Sequence, residues 1–76
     1  MNTKVKFLEI MLSDLISHRD TLELELNRVL NSDDKFIHKK IDFDKLLGEI
    51  TETNNKISLL SDFMSNVVQN NTNNKD

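Results

Sequence analysis

The chain has no cysteine, no proline, no tryptophan or tyrosine and a single glycine. Without cysteine, neither disulfides nor thiolate metal sites can reinforce the fold, and nothing reports a redox compartment. With only Gly48 available, no glycine-rich loop exists to cradle a phosphate. Positive charge is also lacking: ten Lys and Arg are scattered among thirteen Asp and Glu, for a formal charge of −3 and a sequence pI near 5.2. That balance argues against a phosphate-tracking surface, so nucleic acid is not the expected partner. No apolar run approaches the ~18–20 residues of a membrane span, and no signal-peptide core opens the sequence. The expectation is a cytoplasmic protein without a membrane partner. At 76 residues it forms one small domain, and below roughly 80 residues a single core rarely supplies more than about 3–5 kcal/mol, so marginal stability as a monomer is expected.

What is present is periodicity. Two ladders run through the chain in strict 3,4 alternation: Val5, Leu8, Leu12, Leu15, Arg19, Leu22, Leu26, Val29, and then Phe43, Leu46, Ile50, Thr53, Ile57, Leu60, Met64, Val67. Pairing the first rung of one with the last of the other, from Val5 with Val67 down to Val29 with Phe43, gives residue numbers that always add to the same total. A constant total is what an antiparallel pair of helices produces, because each a-type position then faces a d-type position of the other helix. The ladders predict an all-α fold, an antiparallel two-helix hairpin of coiled-coil type, with these residues as its seam.

The spacing predicts a hairpin domain over 1–68, built from a helix over 3–30, a turn over 31–38 and a helix over 39–68. Residues 3–30 contain no Gly or Pro and many good helix formers, and Thr3 is a candidate cap. Asn31, Ser32, Asp33 and Asp34 break the pattern because short polar side chains compete for backbone hydrogen bonds. Between Lys35 and Lys40 the reading stays open: Asp33 or Asp34 could cap a turn of helix that folds Phe36 and Ile37 over the closed end. Gly48 falls on the outward side of the second helix at a cost of about 1 kcal/mol. Residues 69–76 hold no apolar side chain to bury and are expected to form a disordered tail.

Candidates for chemistry are few. The seam has one polar layer, Arg19 opposite Thr53, with His18 and Glu49 expected to meet on one side and Glu23 and Asn54 on the other. It reads as a register-fixing device in which the guanidinium reaches Glu49 or Glu52, since no nucleophile with a base and an orienter lies nearby. His18 and His38 sit at different heights with no metal-ligand spacing. Asp33-Asp34 and Asp42-Asp44 lack the twelve-residue loop that calcium requires and read as turn and helix-start carboxylates. No catalytic residue, cofactor or metal is expected, and the chain is not expected to be an enzyme.

The apolar residues that the seam leaves over are more informative. Phe7, Ile10 and Met11 lie off the first ladder, and Leu59 and Phe63 off the second. The antiparallel register brings Met11 and Phe63 to one edge, with Phe7 and Leu59 just outside them, at the open end of the hairpin. A smaller patch on the opposite edge would combine Leu30 with Leu47, and Ile16 and Val68 lie along that edge. A two-layer hairpin has nothing to cover its flanks, and contiguous exposed apolar surface marks a contact site. The partner is another protein or a second copy. Self-association into a four-helix bundle and docking into a groove of helical repeats would each cover the patch.

The opening run Thr3 to Leu12, the polar turn at Asn31 to Asp34, and Leu46-Leu47-Gly48-Glu49-Ile50 followed by Asn55, Ile57, Leu59 and Leu60 resemble the small hairpin co-chaperones of type III secretion needle subunits, the YscE, SsaE and EscE proteins. The likeness spans roughly residues 3 to 68. It implies a cytoplasmic virulence-associated chaperone component that stabilises a larger helical-repeat chaperone, the pair holding a needle subunit monomeric before export. It also implies that Phe7, Leu8, Ile10, Met11 and Leu12 of the first helix supply much of the contact. Late tyrosines of some members are replaced here by Phe63 and Met64. Two other readings stay open: a homodimeric four-helix-bundle regulator of phage or bacterial type, and an aspartyl-phosphate phosphatase hairpin. Ile41-Asp42-Phe43-Asp44-Lys45-Leu46-Leu47 is loosely similar to the second-helix motif of small sporulation phosphatases, yet Lys40 and Ile41 stand where that family places Ser and Gln.

Overall fold

The computed structural model describes residues 3–73, with side chains through residue 69. Two helices, α1 (Thr3–Leu30) and α2 (Phe36–Asn73), pack along their length as an antiparallel hairpin, and no strand is present among the described residues. The molecule measures 62 × 16 × 12 Å with a radius of gyration of 17.6 Å, where a compact domain of this length would show about 11 Å. It is a rod two helices wide.

α1 spans the predicted residues because good helix formers run unbroken to Leu30. Its end is tightened without a left-handed residue: the Asn31 backbone N–H donates to the Asn27 carbonyl at 3.1 Å, and the Ser32 N–H to the Val29 carbonyl at 3.1 Å. The Asn31 side-chain amide adds a second donor to the Asn27 carbonyl at 3.0 Å, while the bond from Ser32 satisfies the Val29 carbonyl, which has lost its helical partner. The turn is shorter than expected. α2 starts at Phe36, and the Lys39 N–H donates to the Lys35 carbonyl at 2.9 Å, which makes Lys35 the capping position in place of Asp33 or Asp34. Once the polar segment ends, nothing in Phe36 to Lys40 opposes helix, and the Lys39 ammonium donates to the Ser32 carbonyl across the turn at 3.2 Å.

α2 also runs past the expected boundary at 68, to Asn73. Extending an existing helix adds one hydrogen bond per residue fixed, and Gln69 to Asn73 contain no Gly or Pro to stop it. The remainder of the expected tail, 74–76, lies outside the described residues.

All sixteen ladder residues are buried or half-buried, and only Ile16, Glu25, Ser32, Lys39 and Glu49 join them in that state among residues 3–69. Leu22, Val29 and Thr53 are the most deeply buried, at 8, 6 and 5 % exposure. No described side chain is fully enclosed. Two rods in contact share a line, not a volume, so every seam residue keeps one side toward solvent.

Candidate interaction surfaces

The polar layer is assembled differently from the expectation. Thr53 is buried, and its hydroxyl donates to the Glu49 carbonyl one turn back at 2.8 Å, which satisfies it within its own helix. Arg19 is about two-thirds buried; its guanidinium approaches the adjacent Asp20 at 3.7 Å and reaches neither Glu49 nor Glu52, while its Nε is buried without a hydrogen-bond partner. Glu49 is placed nearer the loop, in a shallow depression with Glu25, Arg28, Val29, Asp42 and Lys45, and no hydrogen bond joins it to His18. The ladder totals account for the difference: they set Glu49 level with residue 23 of α1, so its nearest flanking residue is Glu25, and His18 stands about five residues further along the rod. In that depression Arg28 forms an ion pair with Glu25, its Nε donating to the carboxylate at 3.1 Å. This hydrogen bond holds the Glu25 carboxyl below the ordinary carboxylate range and raises Arg28 further. Arg28 is exposed and Glu25 only partly covered, so the pair is a surface feature.

His18 and His38 are exposed, and among the described residues no three His, Asp or Glu side chains converge in a metal-binding arrangement. No described helix is long and apolar enough to cross a membrane.

The leftover apolar residues are where the surface departs from an ordinary one. At the open end Phe7, Ile10, Leu59 and Phe63 are between 52 and 64 % exposed and Met11 39 %. Phe7 and Phe63 share a shallow hollow with Leu8 and Val67, which brings the start of α1 onto the end of α2. Ile10 projects from the back of α1, at the margin of this group, because its helical position faces away from α2.

The closed end carries an apolar surface of similar weight that the periodicity understated. Phe36 and Ile37 do not fold back over the turn: they are 81 and 62 % exposed, because α2 is already regular there and directs them outward. Leu30, Phe36, Phe43 and Leu47 wall a groove of about 390 Å³ on the edge opposite the Phe63 hollow, with Lys40 and Asp44 on its rim. Ile41, 60 % exposed, and Gly48 stand beside it, and a Cβ added at Gly48 would meet nothing within 4 Å. The signal for this surface was present in the sequence as a second 3,4,3 stripe, Ile37, Lys40, Asp44 and Leu47, obscured because its middle rungs are charged.

No protein-family model matches the chain, and no curated protein or solved structure is significantly similar to it.

Proposed function

We propose that this hairpin is a non-enzymatic, protein-binding co-chaperone, and that its open end docks on a larger helical-repeat chaperone that holds a type III secretion needle subunit in the cytoplasm. One observation carries the binding role: Phe7 and Phe63 share an exposed apolar hollow at the open end, with Met11 and Leu59 also exposed on that stretch of the rod and Ile10 on its back. The resemblance of residues 3 to 68 to the small needle-subunit co-chaperones supplies the identity of the partner. An amphipathic helix laid into an apolar groove is a recurrent mode of peptide recognition, and α1 presents Phe7, Met11 and the half-buried Leu8 at suitable spacing.

The energetics fit mutual stabilisation. A marginal hairpin and a repeat protein with an open groove each expose apolar surface that the other covers, and a partner at about one hundred times its Kd stabilises the folded state by about 2.7 kcal/mol. The test is to mix the purified hairpin with the helical-repeat chaperone of the same secretion system. A rise in the chaperone's Tm that Phe7→Asp or Met11→Asp removes supports the assignment. An unchanged Tm with no complex at micromolar concentration rejects it. The homodimeric alternative, in which the same five residues bury against a second copy, instead predicts that Phe7→Asp converts a dimer to a monomer in the absence of any partner.

A further inference from the structure

We infer that the closed end is a separate self-association surface, on which a second copy of this chain docks through α2 in an antiparallel, two-fold arrangement centred between Lys40 and Asp44. This inference is independent of the open-end reading. It starts from surface area: the chain exposes 6138 Å², against about 4,800 Å² for a globular monomer of its mass. The surplus is spread along the whole rod, so surface for a contact is available, and the side-chain pattern has to place that contact.

Charge complementarity selects the occupant. On α2, Ile37, Lys40, Asp44 and Leu47 form one stripe, with charges in the middle and apolar residues at both ends. Lys40 and Asp44 are exposed and not paired with each other, although they stand one turn apart. In a two-fold contact, if residue i meets residue j, then j meets i. Laying the stripe antiparallel on itself sets Lys40 against Asp44 of the second copy twice over, and Ile37 against Leu47 of the second copy twice over. The same rotation brings Ile41 near its own counterpart across the two-fold axis. It also carries Phe36, the most exposed apolar residue described, toward the groove wall made by Leu30 and Leu47 of the second copy. A second copy matches this pattern by symmetry, with the apolar ends and the charged middle satisfied in one register.

Such a dimer has a distinctive shape. The overlap is limited to the first turns of α2, so the two rods point away from each other and leave both open ends free. Each 62 Å hairpin overlaps its neighbour by only about four turns, giving a maximum dimension on the order of 100 Å. A side-by-side four-helix bundle would stay near the length of one hairpin.

The experiment combines sedimentation equilibrium with small-angle scattering on the full chain and on Lys40→Asp, Asp44→Lys and the double variant. All substituted positions are exposed, so the hairpin fold is not at stake. The expected result is an elongated dimer whose Kd rises about tenfold or more in either single variant, which places like charges in contact twice, and returns to within about threefold of the parent in the double variant. Phe7→Asp is expected to leave this dimer intact. A chain monomeric at every accessible concentration, a dimer indifferent to both single reversals, a dimer no longer than one hairpin, or one abolished by Phe7→Asp would each overturn the inference.

Discussion

The two ends of the hairpin hold similar amounts of off-seam apolar surface but are built to different tolerances. At the closed end Val29 is 6 % exposed, the backbone amides of Asn31, Ser32 and Lys39 are all hydrogen-bonded, and the Lys39 ammonium ties α2 to the turn. At the open end the seam residues Val5, Leu8, Met64 and Val67 are only half-buried, and no chain connection holds α1 to α2. Burial is deepest from mid-rod, at Leu22 and Thr53, to the turn, at Val29, and none of the open-end rungs reaches it. An end that opens at low cost is suited to a partner that completes it, whereas an end already ordered loses little entropy on docking and suits a symmetric contact.

The sharpest way to break this contrast is to remove what both ends depend on. Leu22→Asp places a charge at one of the most buried positions of the seam, at a cost of several kcal/mol that exceeds the about 3–5 kcal/mol such a small core supplies. Circular dichroism should show loss of helix from both ends together; retained helicity would mean that the ends fold independently. Phe7→Asp and Met11→Asp act at the open end alone. Each should weaken binding to the proposed chaperone partner by about 2–4 kcal/mol, the range of an interface hot spot, with the helical signal preserved. Undiminished binding in both variants would remove the open-end patch from the interface.

Smaller effects sharpen the picture of the seam between the ends. Arg19→Leu removes a buried Nε that has no partner, and should raise the unfolding free energy by roughly 1–2 kcal/mol. The same change removes the polar rung that distinguishes one register from its neighbours, so the NMR spectrum of the variant should show more than one set of seam resonances. A lowered urea midpoint would instead mean that the guanidinium supports the seam. Gly48→Ala meets open space and should stabilise α2 by about 1 kcal/mol through helix propensity.

The smallest expected effect concerns Glu25. Its folded-state pKa is depressed by the Arg28 hydrogen bond, so its contribution to stability is present above the unfolded value and is lost as pH falls through the depressed folded value. Because the pair is a surface feature, Glu25→Gln should change neutral-pH stability only marginally, and the variant should lose slightly less stability than the parent on acidification. A larger loss in the variant would reverse the assigned sign.

How far each feature could be read in advance depended on whether periodicity alone carried it. The buried or half-buried state of all sixteen ladder residues follows from the 3,4 repeat, because that repeat forms the one continuous stripe on each helix. The exposure of Phe7 and Phe63 followed too, since a residue off the only stripe of a two-layer fold has nowhere to be buried. Phe36 and Ile37 were harder. The neighbouring aspartates favour a longer turn, and only the regular start of α2 turned both side chains outward. The partner of Arg19 was likewise beyond reach, because a long side chain beside a solvent-facing groove has several carboxylates within range, and their relative distances depend on small offsets between the helices.

By itself, then, the sequence determined the two-helix architecture, the stripe that each helix buries and the exposure of Phe7 and Phe63, because a 3,4 repeat without Gly or Pro to interrupt it makes one apolar face per helix. Tertiary structure decided where the turn closes, which carboxylate Arg19 meets and how the charged rungs at Lys40 and Asp44 share a groove with Leu30 of the other helix. Those outcomes rest on offsets of a turn or less between two rods. Such distances are set by packing, and no pattern along a single strand of letters encodes them.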